Sequence, residues 1–365
     1  MEIKKIFYIT ETSLPSTSAN IINSLKFCDS LANYSKINFF LPLTKITNLE
    51  INKFYNLKNN FFFSNVLNRN ISSSFDRFQF SIKTVFKILL NLNTVHFILS
   101  RSILTSIILA FLNVKNVLEI HHNLNGFSKI LFNILIKTPL KKNLILIVIN
   151  EKLINDLKIL RLKHITLDDA SDIKKTKFTS SFMYKNACVY TGSLYKGKGL
   201  EIIMRLSKIM PNIEFHIFGE KKTSKKLNSN FNQNIKFKGY VEYSKIKKIL
   251  KKYHIALMPY EKKISARSSN LEIAKYISPL KMFDYFSSGN IILASKIKAF
   301  EHILKNNINS FVLNTSNVNN WKVLINKILD NLSEYNHIKY NAIQSSKKFS
   351  WDNRAKKFLK FIDFI

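Results

Sequence analysis

Ala187-Cys188-Val189-Tyr190-Thr191-Gly192-Ser193-Leu194-Tyr195-Lys196-Gly197-Lys198-Gly199 is a short apolar run closed by a glycine-rich turn, and a helical pattern begins at Leu200. Apolar residues without polar alternation fit a strand buried on both faces of a parallel sheet. Three of the seven glycines of the chain fall within Gly192–Gly199. Glycine lets backbone approach a ligand closely, and the free N–H groups of the following helix favour an anion. Lys198 adds a full charge. The spacing fits neither a Walker A loop nor a dinucleotide fingerprint, and an ordinary strand-to-helix turn on a lysine-rich surface is the plain alternative.

The same unit recurs along the 365 residues. Apolar strand candidates at Ile6–Ile9, Ile37–Leu41, Thr94–Ile98, Asn116–Ile120 and Leu144–Ile149 form a first set. A second set is Ala187–Thr191, Glu214–Phe218, Ile235–Lys238, Ile255–Met258 and Asn290–Ala294. Between them lie helical stripes, such as Ile21, Ile22, Leu25, Cys28, Leu31 and Ala32; 200–210, 244–252 and 318–332 read likewise. Alternating strand and helix predicts an α/β fold with right-handed crossovers. The polar stretch Asp168–Lys177 divides it into two Rossmann-like domains, 1–170 and 171–345, and a basic amphipathic helix spanning 346–365 follows.

The net charge is +34, but residues 1–185 carry 25 Lys and Arg against 11 Asp and Glu, and residues 186–365 carry 32 against 12. An excess so evenly spread argues against a nucleic-acid-binding arm. Abundant Lys, Asn, Ile and Phe with scarce Gly and Pro point to compositional bias as its main source, and an anionic membrane surface is the next partner to consider. Cys28 and Cys188 lack neighbours at metal-ligand spacing and suit a reducing, cytosolic setting. No uncharged apolar run reaches the ~18–20 residues of a membrane span, and no secretory leader pattern precedes Ile6. Phe127–Asn143 sets Phe127, Ile130, Leu131, Ile134 and Leu135 beside Lys129, Lys137, Lys141 and Lys142. It reads either as a core helix with a solvated lysine face or as a helix lying on a bilayer.

A second anion-binding candidate is Ser278-Pro279-Leu280-Lys281-Met282-Phe283-Asp284-Tyr285. Ser278 is a natural helix cap and Pro279 a natural first helical residue. Asp284 lies among apolar neighbours, where a carboxylate needs hydrogen-bond donors such as ribose hydroxyls. The plain alternative is a capped core helix whose Asp meets solvent at one edge.

Together these stretches resemble the donor domain of glycosyltransferase family 4, along with Phe215-His216-Ile217-Phe218-Gly219, Phe237-Lys238-Gly239-Tyr240-Val241, Ala256-Leu257-Met258-Pro259-Tyr260, Glu301 and Phe349-Ser350-Trp351. Pro15-Ser16 with Ala19-Asn20 resembles the family's first strand–helix unit, and Val117-Leu118-Glu119-Ile120-His121 its histidine-bearing strand end. The resemblance implies GT-B architecture: two Rossmann-like domains facing a cleft, with the last helix crossing back to the first. It implies a metal-independent retaining glycosyltransferase with no cofactor. The donor would be a UDP- or GDP-sugar and the acceptor a glycan or lipid-linked molecule, in cell-surface polysaccharide or lipopolysaccharide synthesis. Such an enzyme would be cytoplasmic, at or near the inner face of the membrane, and would not bind nucleic acid. A GT-B epimerase is the main alternative, and a basic membrane- or nucleic-acid-binding protein without catalysis is a weaker one.

By the same resemblance Gly192 and Ser193 lie at the diphosphate and Lys198 pairs with it. Ser278, Pro279, Leu280 and Lys281 offer a helix N-terminus to the distal phosphate, and Asp284 binds ribose. Gly219, Tyr240 and Val241 line the base site. His121 lies near the transferred sugar, with Ser16, Asn20 and His122 on the acceptor side; His122 is chemically equal to His121 as a candidate. Three positions depart from the family pattern. Tyr276 replaces a Glu eight residues before Asp284, Ser193 replaces an Arg, and His254 replaces an Asp. Lys196 and Arg267 are the further cations that could then assist Lys198.

Overall fold

The computed structural model describes residues 5–173, 183–219, 231–261, 263–266, 269–272 and 275–363. The chain divides into two compact units, Met1–Asp168 with Trp351–Ile365, and Asp169–Ser350.

The first unit is built on strands β1 (Lys5–Ile9), β2 (Lys36–Leu41), β3 (Phe62–Asn65), β4 (Phe97–Ser100), β5 (Asn116–Ile120), β6 (Leu144–Val148) and β7 (His164–Thr166). They form one sheet in the order β3-β2-β1-β4-β5-β6-β7, with every pairing parallel. Helices α1 (Ala19–Leu31), α2 (Asn48–Tyr55), α3 (Ser74–Leu89), α4 (Ile103–Phe111), α5 (Gly126–Leu135) and α6 (Glu151–Asp156) make the crossovers. β5 and β6 are buried at all positions, which explains the unbroken apolar sequence of β6 and leaves Asn116 and Glu119 of β5 as buried polar groups. α3 packs beside α4 and α4 beside α5, while α1 packs on the C-terminal helix Trp351–Asp363. Phe358 of that helix meets Phe27 and Phe97 edge-on, with centroids 5.6 and 5.7 Å apart.

The second unit holds β8 (Tyr184–Thr191), α7 (Leu200–Ile209), β9 (Glu214–Phe218), β10 (Ile235–Gly239), α8 (Tyr243–Leu250), β11 (Tyr253–Met258), the short antiparallel pair β12 (Ser265–Ala266) and β13 (Ser269–Glu272), α9 (Leu280–Ser288), β14 (Ile291–Ser295), β15 (Phe311–Leu313), α10 (Val318–Asp330) and α11 (Asn336–Lys348). Its main sheet runs β10-β9-β8-β11-β14-β15, again parallel throughout. Strand order reverses beside β8, so the turn leaving β8 sits where open α/β sheets bind ligands.

Several expectations need correction. The fourth strand is Phe97–Ser100 and not Thr94–Ile98, because Leu92–Thr94 is a 3-10 turn. The helix expected over Phe127–Asn143 ends at Leu135: Thr138 is extended ahead of Pro139, which disfavours helical backbone in the residue before it, and Pro139–Asn143 is a separate 3-10 turn. The terminal helix expected from 346 is interrupted at Phe349-Ser350, where Phe349 O accepts from Ser171 N–H at 3.0 Å. α11 ends before this break, and α12 is Trp351–Asp363. The short strands β3, β7 and β15 carried no usable alternation.

Candidate functional site

In the second unit three strands end in glycines that bring their backbones together. Gly192 N–H donates to Phe218 O and Gly219 N–H to Gly239 O, both at 2.9 Å. A Cβ on Gly219 would collide with the carbonyl of Gly192, and one on Gly197 with that of Lys263. Gly192 itself has φ +126°, a conformation L side chains rarely adopt. These glycines therefore answer a steric demand at the carboxyl end of the sheet.

The turn Gly192–Gly199 is fastened from below by Tyr190, whose hydroxyl lies 2.9 Å from Ser193 O and 3.1 Å from Lys198 O. Two lysines converge on it from different elements. Lys281, in the first turn of α9, places Nζ 3.6 Å from the Tyr190 ring centroid and 5.2 Å from that of Tyr260. Lys198 places its Nζ 5.3 Å from the Tyr260 centroid. A Cβ on Gly192 would lie 3.0 Å from both Cε and Nζ of Lys281, so a larger residue would press on the tip of this side chain. Lys281 Nζ is buried and has no hydrogen-bond partner. Burial, reinforced by the nearby Lys198 charge, holds the Lys281 ammonium well below the usual lysine range. Burial alone brings Lys198 down to about 8. Ring faces recover only part of the lost hydration, up to ~2 kcal/mol; an anion at the turn would offset the rest and favour the charged form of both groups.

The α9 start differs from the expected cap. Ser278 Oγ accepts from Asp169 N–H at 3.1 Å and so does not cap the helix. Pro279 occupies the N-cap position, the helix begins at Leu280, and no side chain caps its first amides. Asp284 is only 3 % exposed and receives the Tyr243 hydroxyl at 3.0 Å. Tyr240 follows β10 at the surface, with Val241 half-buried beside it in sequence. Tyr276, at the departure from the acidic motif position, is buried. His254 is buried with Nδ1 3.2 Å from Lys339 Nζ, a packing contact remote in sequence from the turn. Lys196 is exposed, and Arg267 lies outside the described residues.

In the first unit His121 follows β5. Its Nε2 lies 2.6 Å from Glu119 Oε1, and Arg354 Nη2 of α12 reaches the same oxygen at 2.8 Å. Burial pushes the Glu119 carboxyl up, but the Arg101 and Arg354 charges and the His121 bond outweigh it and hold the group ionised, well below the ordinary range. An ionised carboxylate only accepts, so Nε2 carries the hydrogen and Nδ1 is the acceptor. Burial, then the Arg101 charge, lowers His121 to about 3, so the ring is neutral at ordinary pH. His122 is exposed, and its Nδ1 lies 2.9 Å from Asn123 O. Ser16 exchanges two 2.8 Å hydrogen bonds with the Tyr55 hydroxyl, through its N–H and its carbonyl. Asn20, in the first turn of α1, accepts at its carbonyl from Ser24 and from Arg101 at 3.2 Å.

The sequence reading did not assign the Tyr190–Tyr260 platform, Tyr243, the Lys281 side chain or the Glu119–Arg354 pair. The last had a signal: Glu119 is a lone carboxylate inside an apolar strand, and a buried charge demands a partner. Among the described residues, no group of three or more His, Cys, Asp or Glu side chains is placed to hold a metal ion.

Residues 172–345 match the family model of glycosyl transferases group 1. No curated protein matches the chain. Solved structures match nearly its full length. Anabaena HepE in complex with UDP and glucose aligns with a TM-score of 0.74 and 12% identity over 99% of this chain and 100% of that one. A glycosyltransferase from Rickettsia africae gives 0.70 and 12% over 99% and 98%. WaaG, a glycosyltransferase involved in lipopolysaccharide biosynthesis, gives 0.63 and 9% over 97% and 98%. At such identities the likeness is one of fold. The chain has the GT-B fold of two Rossmann-like units, and its second unit carries the sequence pattern of group 1 glycosyl transferases.

Proposed function

We propose that this protein is a retaining glycosyltransferase that moves a sugar from a nucleotide-diphosphate sugar to a glycan or lipid-linked acceptor. The observation that carries this reading is the buried, unpartnered Lys281 ammonium set beside Lys198 at the Gly192 turn. Cleavage of a sugar–phosphate bond builds negative charge on the departing diphosphate, and fixed cations aimed at that charge are an effective catalytic device. Lys198 and Lys281 supply it from side chains, and the uncapped amides of Leu280 and Lys281 supply a helix N-terminus. This arrangement supports transfer without a metal ion.

The remaining roles follow the chemistry of the groups. The Tyr243 hydroxyl, donating to Asp284, can accept from a ribose hydroxyl, so the pair forms the ribose side. Gly219, Tyr240 and Val241 form the base side of a UDP- or GDP-sugar, with Ser193 and Ser278 flanking the phosphates. His121 accepts a hydrogen bond from a hydroxyl of the transferred sugar through Nδ1. Ser16, Asn20 and His122 are the acceptor-side residues. Polysaccharide or lipopolysaccharide assembly in the cytoplasm is the proposed setting. Labelled sugar should pass from a nucleotide-sugar to acceptor in the presence of a chelator, and Lys198→Ala should abolish the transfer. Full activity of that variant would remove Lys198 from the mechanism, and conversion of donor without acceptor would favour an epimerase.

A peripheral membrane setting draws on the first unit. No helix among the described residues is long and apolar enough to cross a membrane. α5 nevertheless exposes Phe127, Ile130 and Ile134, and α3 exposes Phe75, Phe78, Ile82 and Phe86 at helical spacing. Lys129 and Lys137 flank the first stripe, and Lys83 and Lys87 lie along the second. Apolar residues that enter the acyl boundary below lysines that reach headgroup phosphates suit an anionic bilayer. Flotation with phosphatidylglycerol-containing liposomes tests this, and equal recovery with zwitterionic liposomes would contradict it.

A further inference from the structure

Glu119, His121 and Arg354 form a linked group, Glu119 and Arg354 buried and His121 part-exposed, and the transfer chemistry above leaves the Glu119–Arg354 pair unexplained. Arg354 is the only one contributed by the C-terminal helix, and it is firmly held. It donates to Leu167 O at 2.6 Å and to Asp168 O, and its guanidinium lies 4.8 Å from the Phe27 ring centroid. Its Nη2 then reaches Glu119 Oε1, the oxygen that also takes the His121 Nε2 hydrogen. A carboxylate oxygen shared in this way orients the imidazole, and the guanidinium charge beside it weakens its pull on a second ring proton. The charged groups that act on His121 are Glu119 on its own strand end, Arg101 after β4 and Arg354 on α12.

We propose that Arg354 is a positioning residue for His121: through the shared Glu119 oxygen it holds the ring as the neutral Nε2–H tautomer and keeps Nδ1 as a hydrogen-bond acceptor. The catalytic meaning of that acceptor rests on the transferase reading; the hold on the ring does not. The C-terminal helix is thereby more than a strap on the first unit, since it anchors the carboxylate that orients a side chain on β5's exit.

The test is 15N NMR of the His121 ring across ~pH 5–8, the range where an ordinary histidine titrates. It uses the full-length wild type, Arg354→Met, Arg354→Lys and the near-isosteric Glu119→Gln. The wild type should show one unprotonated Nε2–H ring throughout. Glu119→Gln should mix the tautomers, because an amide can both donate and accept. Arg354→Met should loosen the Glu119 carboxylate and move the ring nitrogen signals away from those of the wild type, and Arg354→Lys should restore the wild-type signals. In transfer assays Glu119→Gln should lower kcat about 10- to 100-fold, the usual worth of an orienting partner, with donor KM changed less than about threefold. Arg354→Met should likewise lower kcat, with Arg354→Lys recovering it. Should Arg354→Met fail to fold, Glu119→Gln and Arg354→Lys decide alone. Ring signals in Glu119→Gln that superimpose on the wild type would overturn the proposal. A wild type that transfers no sugar, while its variants' ring signals move as stated, would sink the transferase reading and leave the positioning intact.

Discussion

Replacing Lys281 with Met keeps the length and bulk of the side chain and removes its charge. Two effects of opposite sign should result. In the ligand-free protein the Lys281 ammonium is buried without a hydrogen-bond partner, and apolar substitution of such a group is neutral or stabilising. The lost contact with Tyr190, at 3.6 Å from its centroid, works the other way by up to ~2 kcal/mol. Burial disfavours the charged form of Lys281, and removing that desolvated charge offsets the lost ring contact, so Tm should hold or rise. Ligand binding should suffer. One ammonium about 4 Å from a phosphate charge, at an effective dielectric of ~20, interacts by ~4 kcal/mol. The affinity loss should therefore approach ~1000-fold and exceed ~100-fold. Isothermal titration with uridine and guanosine diphosphates measures the loss, and thermal unfolding measures the stability. Unchanged diphosphate affinity, or a Tm lowered by many degrees without ligand, would refute the reasoning by showing the ammonium to be a packing group.

Proton linkage gives another test. Lys198, lowered to about 8 by burial, and the still lower Lys281 bind fewer protons when folded than when unfolded. Ligand-free stability should therefore rise with pH from about 8 towards the ordinary lysine value near 10.4. Diphosphate binding should conversely take up about half a proton at Lys198 near pH 8, with uptake of the same sign at Lys281, seen as buffer-dependent binding enthalpy. Gly219→Ala should destabilise the second unit by ~1–3 kcal/mol, because its Cβ would strike the Gly192 carbonyl; circular dichroism melting checks it. Tyr243→Phe should weaken ribonucleoside diphosphate binding about tenfold and leave the 2′,3′-dideoxy analogue unaffected, because only ribose hydroxyls use that oxygen.

The alternation of apolar strands with helical stripes made the α/β class legible, and β5 and β9 fall at the expected residues, Asn116–Ile120 and Glu214–Phe218. The glycines of the 192–199 turn marked the carboxyl end of the sheet, where backbones approach closely. Phe62–Asn65, His164–Thr166 and Phe311–Leu313 escaped because a strand of three or four residues at or near a sheet edge needs little apolar periodicity. At the site, sequence placed Lys281 correctly at a helix start but could not show that its side chain lies over Tyr190, since that contact joins residues 91 positions apart. Ser278 looked like a cap and instead serves Asp169, 109 residues away. Tertiary hydrogen bonds of that kind leave no local pattern.

The central claim is that the Gly192 turn, Lys198 and Lys281 form one seat for a nucleoside diphosphate. A crystal structure with bound uridine diphosphate tests it most directly. Phosphate oxygens about 3 Å from the Nζ atoms of both lysines are the predicted result. A diphosphate seated away from Gly192, with Lys281 still lying unpartnered on the Tyr190 ring, would contradict it.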